Sequence, residues 1–272
     1  MARTQQLKDS TFKEAPLIDH LEELRWRIIW SVGAWVVGMG ISFNFLGQII
    51  LFLKQPLDLY AKTRGQSVTI ISLDVTEQLT TSFLVAAFGG LILAMPVILS
   101  QLWLFIAPGL TRSERGYAIP FIGGSLIAFL MGNAFAYYVA LPFALQFLLT
   151  FLPGVTAQLT ISNYVNAVIT PMMLMGVLFQ LPVLMFLLAK ISIISSKFFT
   201  AQRRIAVFVI VILAAVVTPS SDPVNLAITA VPLIVLYEIG ILLAKFAESQ
   251  NARAARREAA AAATTTDDDF DD

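Results

Sequence analysis

The sequence predicts an all-α, polytopic membrane protein with six transmembrane helices, and three observations support this fold class. Hydrophobic residues make up 57% of the 272 residues and charged residues only 13%, whereas soluble domains are about half apolar and about a quarter charged. The apolar residues are gathered in long runs, and a helix needs roughly 20 of them to cross the hydrocarbon layer. Lys and Arg concentrate in alternate connections between those runs, which is typical of a chain that crosses a membrane repeatedly.

Six apolar runs are candidate spans. They extend over about Ile28 to Phe45, Leu79 to Phe105, Ala118 to Leu141, Val165 to Ala189, Ile205 to Val217, and Leu226 to Leu243. The fifth run has about 13 residues, so we expect it to thin the bilayer locally or to lean on its neighbours.

The distribution of positive charge predicts the orientation of these spans. Of the 18 Lys and Arg residues, only Lys54, Lys62 and Arg64 lie in outer connections. Because cytoplasmic segments are enriched in Lys and Arg, both termini and the connection after the second span are predicted to be cytoplasmic. Prolines in or beside the spans kink helices and predict a concave, cupped assembly. They are Pro96, Pro120, Pro142, Pro182 and Pro232.

The two ends of the chain differ in composition from the apolar region between them. We expect residues 1–15 to form a flexible tail, residues 16–245 to form the membrane domain, and residues 246–272 to form a disordered tail that ends in DDDFDD. The first residues carry no charged, apolar and cleavage pattern, so we predict no removable signal peptide. Between the first two spans, QPLDLYAKTRGQ predicts a short amphipathic helix and VTIIS a strand. We expect the second outer loop, about Pro142 to Tyr164, to lie along the interface or to cap the helices.

Several classes of function lack the residues they need. The chain has no cysteine and one histidine, His20, so it cannot build a thiolate or imidazole metal centre. It contains no Walker-type loop, HExxH or GxSxG motif. We therefore predict no cofactor, no metal site, no enzymatic activity and no nucleic-acid partner.

The connection after the second span, WLFIAPGLTRSERGY, combines a helix end with charge. Pro108 and Gly109 end the helix, and Glu114 follows beside Arg112 and Arg115. The residues alone leave two interpretations open. The connection is a solvated turn with an internal Glu114–Arg115 pair, which is the commoner outcome for such a loop, or it presents a carboxylate for binding.

The segment before the first span, LIDHLEELRWRI, is amphipathic. Its apolar residues recur at helical spacing with acidic and basic residues between them. It is either an interfacial anchor whose arginines meet lipid headgroups or part of a binding site. We expect His20, in this segment, to be a surface residue.

Few polar groups lie within or at the edges of the spans. Asp74 or Thr76 can cap the second span, and Glu77 suits the positive end of that helix. Asp222 is predicted to cap the sixth helix, with Pro223 in its first turn.

Two further polar residues lie deeper in the spans. Gln180 precedes Pro182 and either satisfies a carbonyl that the proline frees or contacts a partner. Glu238 is expected to pair with one of three basic residues, Arg203, Arg204 or Lys245.

These motifs occur in a recognisable order. DHLEELRWR precedes the first span, FIAPGLTRSER follows the second, FQLP lies in the fourth, and TPSSD precedes the sixth, across about residues 16–245. In this the chain resembles the TatC family, the polytopic receptor subunit of the twin-arginine protein translocase. The resemblance implies a multi-pass protein of the bacterial cytoplasmic membrane that binds the paired-arginine signal peptides of folded precursors at its cytoplasmic face. It also implies small single-span TatA/TatB-type partners, homo-oligomers within the receptor complex, and export driven by the proton-motive force.

The resemblance also implies which residues form the sites. The signal-peptide site would comprise Leu21, Glu22, Glu23, Leu24, Arg25, Phe105, Pro108, Leu110, Glu114 and Arg115. Two adjacent guanidinium groups call for two carboxylates, so Glu114 and one of Glu22 or Glu23 would accept them while Phe105 packs against the apolar stretch of the peptide.

Other implied residues lie outside that site. Partner-helix contacts would involve Thr218 and Asn225, and structurally important residues would be Pro56, Asp74, Glu77, Pro182 and Asp222. Many family members carry Glu on the concave face where this chain has Gln180. An amide still forms hydrogen bonds but does not titrate, so at this departure from the family pattern a proton-linked or strongly acidic role is not carried over from the resemblance.

The alternative interpretation is a six-span secondary transporter of a small solute. It predicts paired discontinuous helices and ionisable residues at mid-membrane, for which the sequence offers mainly Gln180 and Glu238. An intramembrane enzyme would need a nucleophile and base or a metal set, and no such set is evident in the sequence.

Overall fold

The computed structural model describes residues 2–64, 70–109, 116, 118–150, 159–218 and 222–268, and the following statements concern these residues. Ten α-helices form this part of the chain: α1 (Ala2–Phe43), α2 (Leu46–Arg64), α3 (Val75–Ile106), α4 (Ala118–Phe135), α5 (Leu141–Thr150), α6 (Ile161–Leu178), α7 (Leu181–Lys190), α8 (Ser196–Ala201), α9 (Arg203–Val217) and α10 (Pro223–Asp268). Strand β1 (Ile70–Ile71) pairs with β2 (Leu159–Thr160) in a two-stranded sheet. The all-α fold class is confirmed.

Five helical segments of the described chain are long and apolar enough to cross a membrane. They are His20–Phe43, Val75–Ile106, Ala118–Thr150, Ile161–Lys190 and Pro223–Arg253. The remaining predicted span corresponds to α9, which has 15 residues and is therefore about 22 Å long against roughly 30 Å of hydrocarbon. The helix order agrees with six spans, and the shortness of α9 matches the sequence prediction for the fifth.

The third span is longer than predicted because Pro142 does not end it. Proline lacks the N–H that would bond to the carbonyl one turn earlier. A π-helical turn at Ala136–Ala140 lies directly before it, and the N–H of Leu141 donates to the carbonyl of Ala136. This wider turn lets the chain remain helical to Thr150. The first part of the predicted second outer loop is therefore helix.

The fourth predicted span is interrupted by a turn at Phe179 and Gln180. Pro182 lies in the first turn of α7, where its missing N–H costs no helical bond. The backbone bonds nevertheless continue, because the N–H of Phe179 donates to the Met175 carbonyl and that of Leu184 to the Gln180 carbonyl, each at 2.9 Å.

Both ends of the chain are helical where they are described. Helix α1 begins at Ala2 and α10 ends at Asp268. The packed part of α10 reaches beyond residue 245, since Ala247 is fully buried and Glu248 accepts hydrogen bonds from the backbone and hydroxyl of Ser196 at 2.6 and 2.5 Å. The mobility of the two predicted tails stays a prediction.

The chain divides into two compact units, of which the first comprises residues 1–54, 71–126 and 160–165. In this unit α1 packs antiparallel against α3. A Cβ on Gly38 would lie 2.6 Å from the carbonyl oxygen of Gly90, so the two backbones touch where only glycine fits. The indole of Trp35 also donates to the Ala87 carbonyl at 2.8 Å.

The second unit comprises residues 55–70, 127–159 and 166–272. Helices α7 and α10 pack closely in it, because Gly240 leaves room for Pro182 and for Met185, which is buried. The phenol of Tyr237 on α10 donates to the Phe199 carbonyl on α8 at 2.7 Å.

Candidate functional site

The N-terminal end of the first span lies against the C-terminal end of the second. The His20 ring on α1 stacks on the Phe105 ring on α3, with ring centroids 4.3 Å apart and an interplanar angle of 11°. His20 is at the surface, as predicted, with its side chain 48% exposed. The stack joins the two sequence segments that the resemblance assigns to one site.

A chain of polar contacts lies beside this stack. The Nη2 of Arg27 donates to the Glu23 carboxylate at 2.8 Å, and its Nη1 donates to the Gln101 side chain at 3.3 Å. The Nδ1 of His20 lies 3.8 Å from the other oxygen of Glu23. The Glu23 side chain is 32% exposed, so its carboxylate remains accessible from solvent.

The packing of α1 on α3 explains why these side chains meet. Gly38 and Gly90 fix the crossing of the two antiparallel helices. Arg27 precedes Gly38 on α1 by the same number of residues as Gln101 follows Gly90 on α3. Because the two helices are antiparallel and touch at the two glycines, Arg27 and Gln101 lie opposite each other. On the α3 side, the buried Trp103 packs against Phe121 of α4, with ring centroids 4.8 Å apart, and anchors the end of the helix.

The predicted signal-peptide residues fall into two groups. Leu21, Glu22, Arg25 and Pro108 are exposed, and Leu24 and Phe105 are half-buried around the polar chain. Leu110, Glu114 and Arg115 lie outside the described residues. The structure thus brings Glu23 and Phe105 to one place and leaves Glu22 exposed without a hydrogen bond to the described part of the chain.

The polar residues at the start of α3 are structural. Asp74 is the N-cap of this helix and accepts from the N–H of Thr76 at 3.1 Å, as the capping interpretation predicts. Glu77 lies in the first turn of α3, where its charge suits the positive end of the helix dipole. Its carboxylate also accepts hydrogen bonds from the N–H groups of Leu73 and Ser162, each at 2.9 Å. It therefore ties the start of α6 to the start of α3.

Asp222 and Asn225 form a cap at the start of α10. The Asn225 backbone N–H donates to Asp222 at 2.9 Å and its side-chain amide donates to the other carboxylate oxygen at 2.6 Å. This confirms Asp222 as the cap. Both side chains are buried. Thr218 is partly buried, and its hydroxyl donates to the Ala214 carbonyl at 2.6 Å and lies 3.3 Å from the Thr229 hydroxyl. The partner-helix role of Thr218 and Asn225 stays a prediction.

The structure shows the local surroundings of Gln180 and Glu238. Gln180 is the N-cap residue of α7 and is half-buried at the interruption of the fourth span. Glu238 pairs with Arg203, one of the three predicted partners, at 2.7 Å. The position of Gln180 on a concave face stays a prediction.

Sequence reasoning missed three members of the polar chain and the stack. In the sequence, Arg27 is only one of the basic residues of the amphipathic segment LIDHLEELRWRI, Gln101 belongs to no motif, and His20 is predicted only to be a surface residue. A signal for Arg27 was present, since residues four apart on a helix are neighbours and Glu23 precedes Arg27 by that spacing. No local signal connects Gln101 or Phe105 to α1, because that contact depends on helix packing.

Comparison with known proteins identifies the family. A sequence model described as Sec-independent protein translocase protein (TatC) matches residues 19–232. The chain belongs to the TatC family. The matched range includes His20, Glu23, Arg27 and Phe105, and ends within α10.

Individual TatC proteins match over most of their length. The chain is 42% identical to TatC of Deinococcus radiodurans over 85% of this chain and 86% of that protein. It is 35% identical to TatC of Aquifex aeolicus over 85% of this chain and 95% of that protein. It is also 38% identical to the chloroplastic TATC of Arabidopsis thaliana, over 89% of this chain and 69% of that protein.

Solved structures agree with the sequence comparison. A crystal structure of the twin arginine translocase receptor TatC is similar with a TM-score of 0.72, 34% identity, and coverage of 84% of this chain and 99% of that one. A second crystal structure of the same receptor in DDM gives a TM-score of 0.73 with 34% identity, covering 83% of this chain and 99% of that one. The protein is therefore a multi-pass membrane subunit of the Sec-independent, twin-arginine protein translocase. The alternative interpretation as a small-solute transporter is not supported.

Proposed function

We propose that this translocase subunit is the receptor for signal peptides and that Glu23 binds one guanidinium of their paired arginines. The observation that carries the proposal is the pair between Glu23 and Arg27, at 2.8 Å, in a solvent-accessible position. The carboxylate is thus already arranged to accept a guanidinium. Arginine suits such a site better than lysine, because its planar fork can donate two parallel hydrogen bonds to one carboxylate.

The surroundings of Glu23 favour it over Glu22 as the peptide's partner. Glu23 lies within 3.8 Å of His20, which stacks on Phe105. A signal peptide carries an apolar stretch after its arginines, and the half-buried Phe105 ring, on which His20 stacks, offers apolar surface close to the carboxylate. Glu22, by contrast, makes no ion pair and no hydrogen bond with another described residue.

The second arginine is assigned to Glu114. This residue lies outside the described part of the chain, so its role rests on the resemblance and on the need for two carboxylates for two adjacent guanidinium groups. Leu24, Arg25, Pro108, Leu110 and Arg115 complete the proposed site on the same ground.

The setting of the receptor follows from charge and family. We assign the site and both termini to the cytoplasmic face of the bacterial inner membrane, because Lys and Arg concentrate in those segments. We assign residues 16–245 to the membrane domain. Small single-span TatA/TatB-type proteins would contact the region of Thr218 and Asn225 and assemble with several copies of this chain. The proton-motive force would supply the energy, at about 2.3 kcal/mol per charge per 100 mV of membrane potential.

The test is the affinity of a fluorescent twin-arginine signal peptide for the protein in nanodiscs, compared with a lysine–lysine peptide. We expect the wild type to prefer the arginine pair, and Glu23→Gln to weaken its binding about tenfold or more, since a charge-assisted hydrogen bond contributes about 1.5–3 kcal/mol. Glu238→Gln is the matched control, because it removes a carboxylate paired with an arginine in the second unit. Equal affinity of the wild type for both peptides would overturn the proposal, and loss of binding in Glu22→Gln alone would reassign the carboxylate.

A further inference from the structure

Two cations at one end of the second unit have no ion-pair partner among the described residues. Arg204 is exposed in the first turn of α9, and Lys245 is exposed on α10. The acidic side chains described at this end of the unit are already bound. Glu238 pairs with Arg203 at 2.7 Å, and Glu248 accepts hydrogen bonds from the first residue of α8. Arg204 and Lys245 are therefore available to an anionic ligand.

The contact between α9 and α10 places these two cations on one side of the unit. The Arg203–Glu238 pair sets the start of α9 beside α10, and Arg204 is the next residue of α9. Lys245 follows Glu238 by nearly two turns, so it projects from the same side of α10 about 10 Å further along the axis. Because arginine and lysine side chains are long and flexible, both can reach one anion placed between them.

The cations lie at the level of a membrane surface, above apolar side chains. Lys245 is about 22 residues beyond the start of α10 and therefore about 33 Å along its axis, just past the roughly 30 Å of hydrocarbon. Phe208 lies one turn deeper than Arg204 on α9 and is 67% exposed, and Leu242 lies one turn deeper than Lys245 on α10 and is 63% exposed. A phospholipid has the matching arrangement, with a phosphate at the surface and acyl chains below it.

We propose that Arg204 and Lys245 bind the phosphate of an anionic phospholipid of the phosphatidylglycerol type. The guanidinium and the ammonium would donate charge-assisted hydrogen bonds to the phosphate oxygens, and the acyl chains would lie against Phe208 and Leu242. An ethanolamine or choline headgroup suits the place less well, because its own cation would meet two further cations and no unpaired carboxylate among the described side chains at this end. The exposed apolar side chains favour a membrane lipid over free phosphate.

The test is native mass spectrometry of the purified full-length protein with an equimolar mixture of phosphatidylglycerol, phosphatidylethanolamine and phosphatidylcholine that share the same acyl chains. We expect the wild type to retain phosphatidylglycerol preferentially. Arg204→Gln and Lys245→Gln should each retain about fivefold less of it, as expected for the loss of one positive charge near an anionic headgroup. Arg204→Lys keeps the charge and should retain nearly as much as the wild type.

Glu238→Gln should change retention in the opposite direction. This substitution releases Arg203 from its carboxylate and removes a negative charge next to Arg204. Retention of phosphatidylglycerol should therefore rise above that of the wild type. A general loss of structure in the variants would lower retention in all of them, so this rise separates binding by charge from misfolding.

Two controls accompany these variants. Lys62→Gln makes the same change at an exposed lysine on α2 and should leave retention unchanged. Inorganic phosphate at the concentration of the lipid should not displace it. Equal retention of the three lipids by the wild type, wild-type retention by either Arg204→Gln or Lys245→Gln, no rise in Glu238→Gln, or full displacement by inorganic phosphate would each overturn the proposal.

Discussion

Glu23 and Arg27 form an ion pair one turn apart on α1, with 2.8 Å between the carboxylate oxygen and Nη2. Arg27 also donates to Gln101 on α3, and its buried Nε has no hydrogen-bond partner in the described part of the chain. The guanidinium of Arg27 therefore occupies the carboxylate that we assign to the signal peptide. An incoming arginine has to displace it.

We predict that Arg27→Gln strengthens signal-peptide binding. A ligand that needs a free Glu23 has an apparent affinity equal to its intrinsic affinity multiplied by the fraction of molecules in which Glu23 is free. Breaking the pair with Arg27 raises that fraction. Because a partly exposed ion pair is worth up to about 1 kcal/mol, its removal should tighten binding about two- to fivefold. Fluorescence anisotropy with a labelled peptide measures this change.

If Arg27 competes with the peptide for Glu23, Arg27→Gln should also raise the affinity of different peptides by the same factor. The fraction of free Glu23 is a property of the receptor, so twin-arginine and twin-lysine peptides should gain by the same factor. Arg203→Gln, which breaks the Arg203–Glu238 pair in the second unit, should leave both affinities unchanged. Weaker binding in Arg27→Gln would mean that Arg27 orients Glu23 and does not compete for it.

We predict that the His20–Phe105 stack positions the Phe105 ring for the apolar part of the peptide. The rings are 4.3 Å apart and nearly parallel, and such pairs contribute about 0.5–1.5 kcal/mol beyond burial. His20→Ala should weaken peptide binding about two- to tenfold, whereas His20→Phe should preserve it. If His20→Phe binds as poorly as His20→Ala, the imidazole acts through its contact with Glu23 and not through stacking.

We predict that the glycine at the α1–α3 crossing is required for stability. In Gly38→Ala, the new methyl group would lie 2.6 Å from the backbone oxygen of Gly90, which cannot move without shifting α3. Overpacking of this kind costs about 1–3 kcal/mol in the free energy of unfolding, and it would separate Arg27 from Gln101. Thermal unfolding in detergent measures the loss.

Gly40→Ala is the matched control for Gly38→Ala, because no atom other than the adjoining backbone of α1 itself lies within 4 Å of the Cβ position at Gly40. Alanine is the better helix former by about 1 kcal/mol. The control should therefore be neutral or more stable than the wild type. A similar destabilisation by both substitutions would contradict the close approach of the two backbones.

We predict that Glu77 holds the start of α6 to the start of α3. Glu77→Gln replaces a charged acceptor for the N–H groups of Leu73 and Ser162, and should lower the free energy of unfolding by about 1–3 kcal/mol. Asp74→Asn should cost much less, since asparagine is also a good N-cap. Equal stability of Glu77→Gln and the wild type would show that these bonds do not contribute.

The sequence predicted those parts of the fold that depend on long apolar runs and on helix N-cap residues. The spans in the sequence correspond to α1, α3, α4 with α5, α6 with α7, α9 and α10, and the cap at Asp74 and the short fifth span were both anticipated. The continuation of the third span as a helix past Pro142 was not predicted. Proline usually marks a helix boundary, and the compensating π-helical turn has no distinct sequence signature.

The candidate site was predictable only in part. The segments around Glu23 and Phe105 could be named from motif resemblance, but the sequence could not choose between Glu22 and Glu23. That choice depends on which side of α1 faces α3, which Gly38 and Gly90 determine through packing. The roles of Arg27 and His20 depend on the same contact, so they became visible only in three dimensions.

The central claim is that Glu23 contacts one arginine of the signal peptide, and a double-mutant cycle tests it most directly. Binding would be measured for the wild type and Glu23→Gln, each with peptides in which the first or the second arginine is replaced by glutamine. We predict a coupling energy of about 1.5–3 kcal/mol between Glu23 and one of the two arginines, and near zero with the other. Additive effects at both positions would contradict direct contact between Glu23 and the arginine pair.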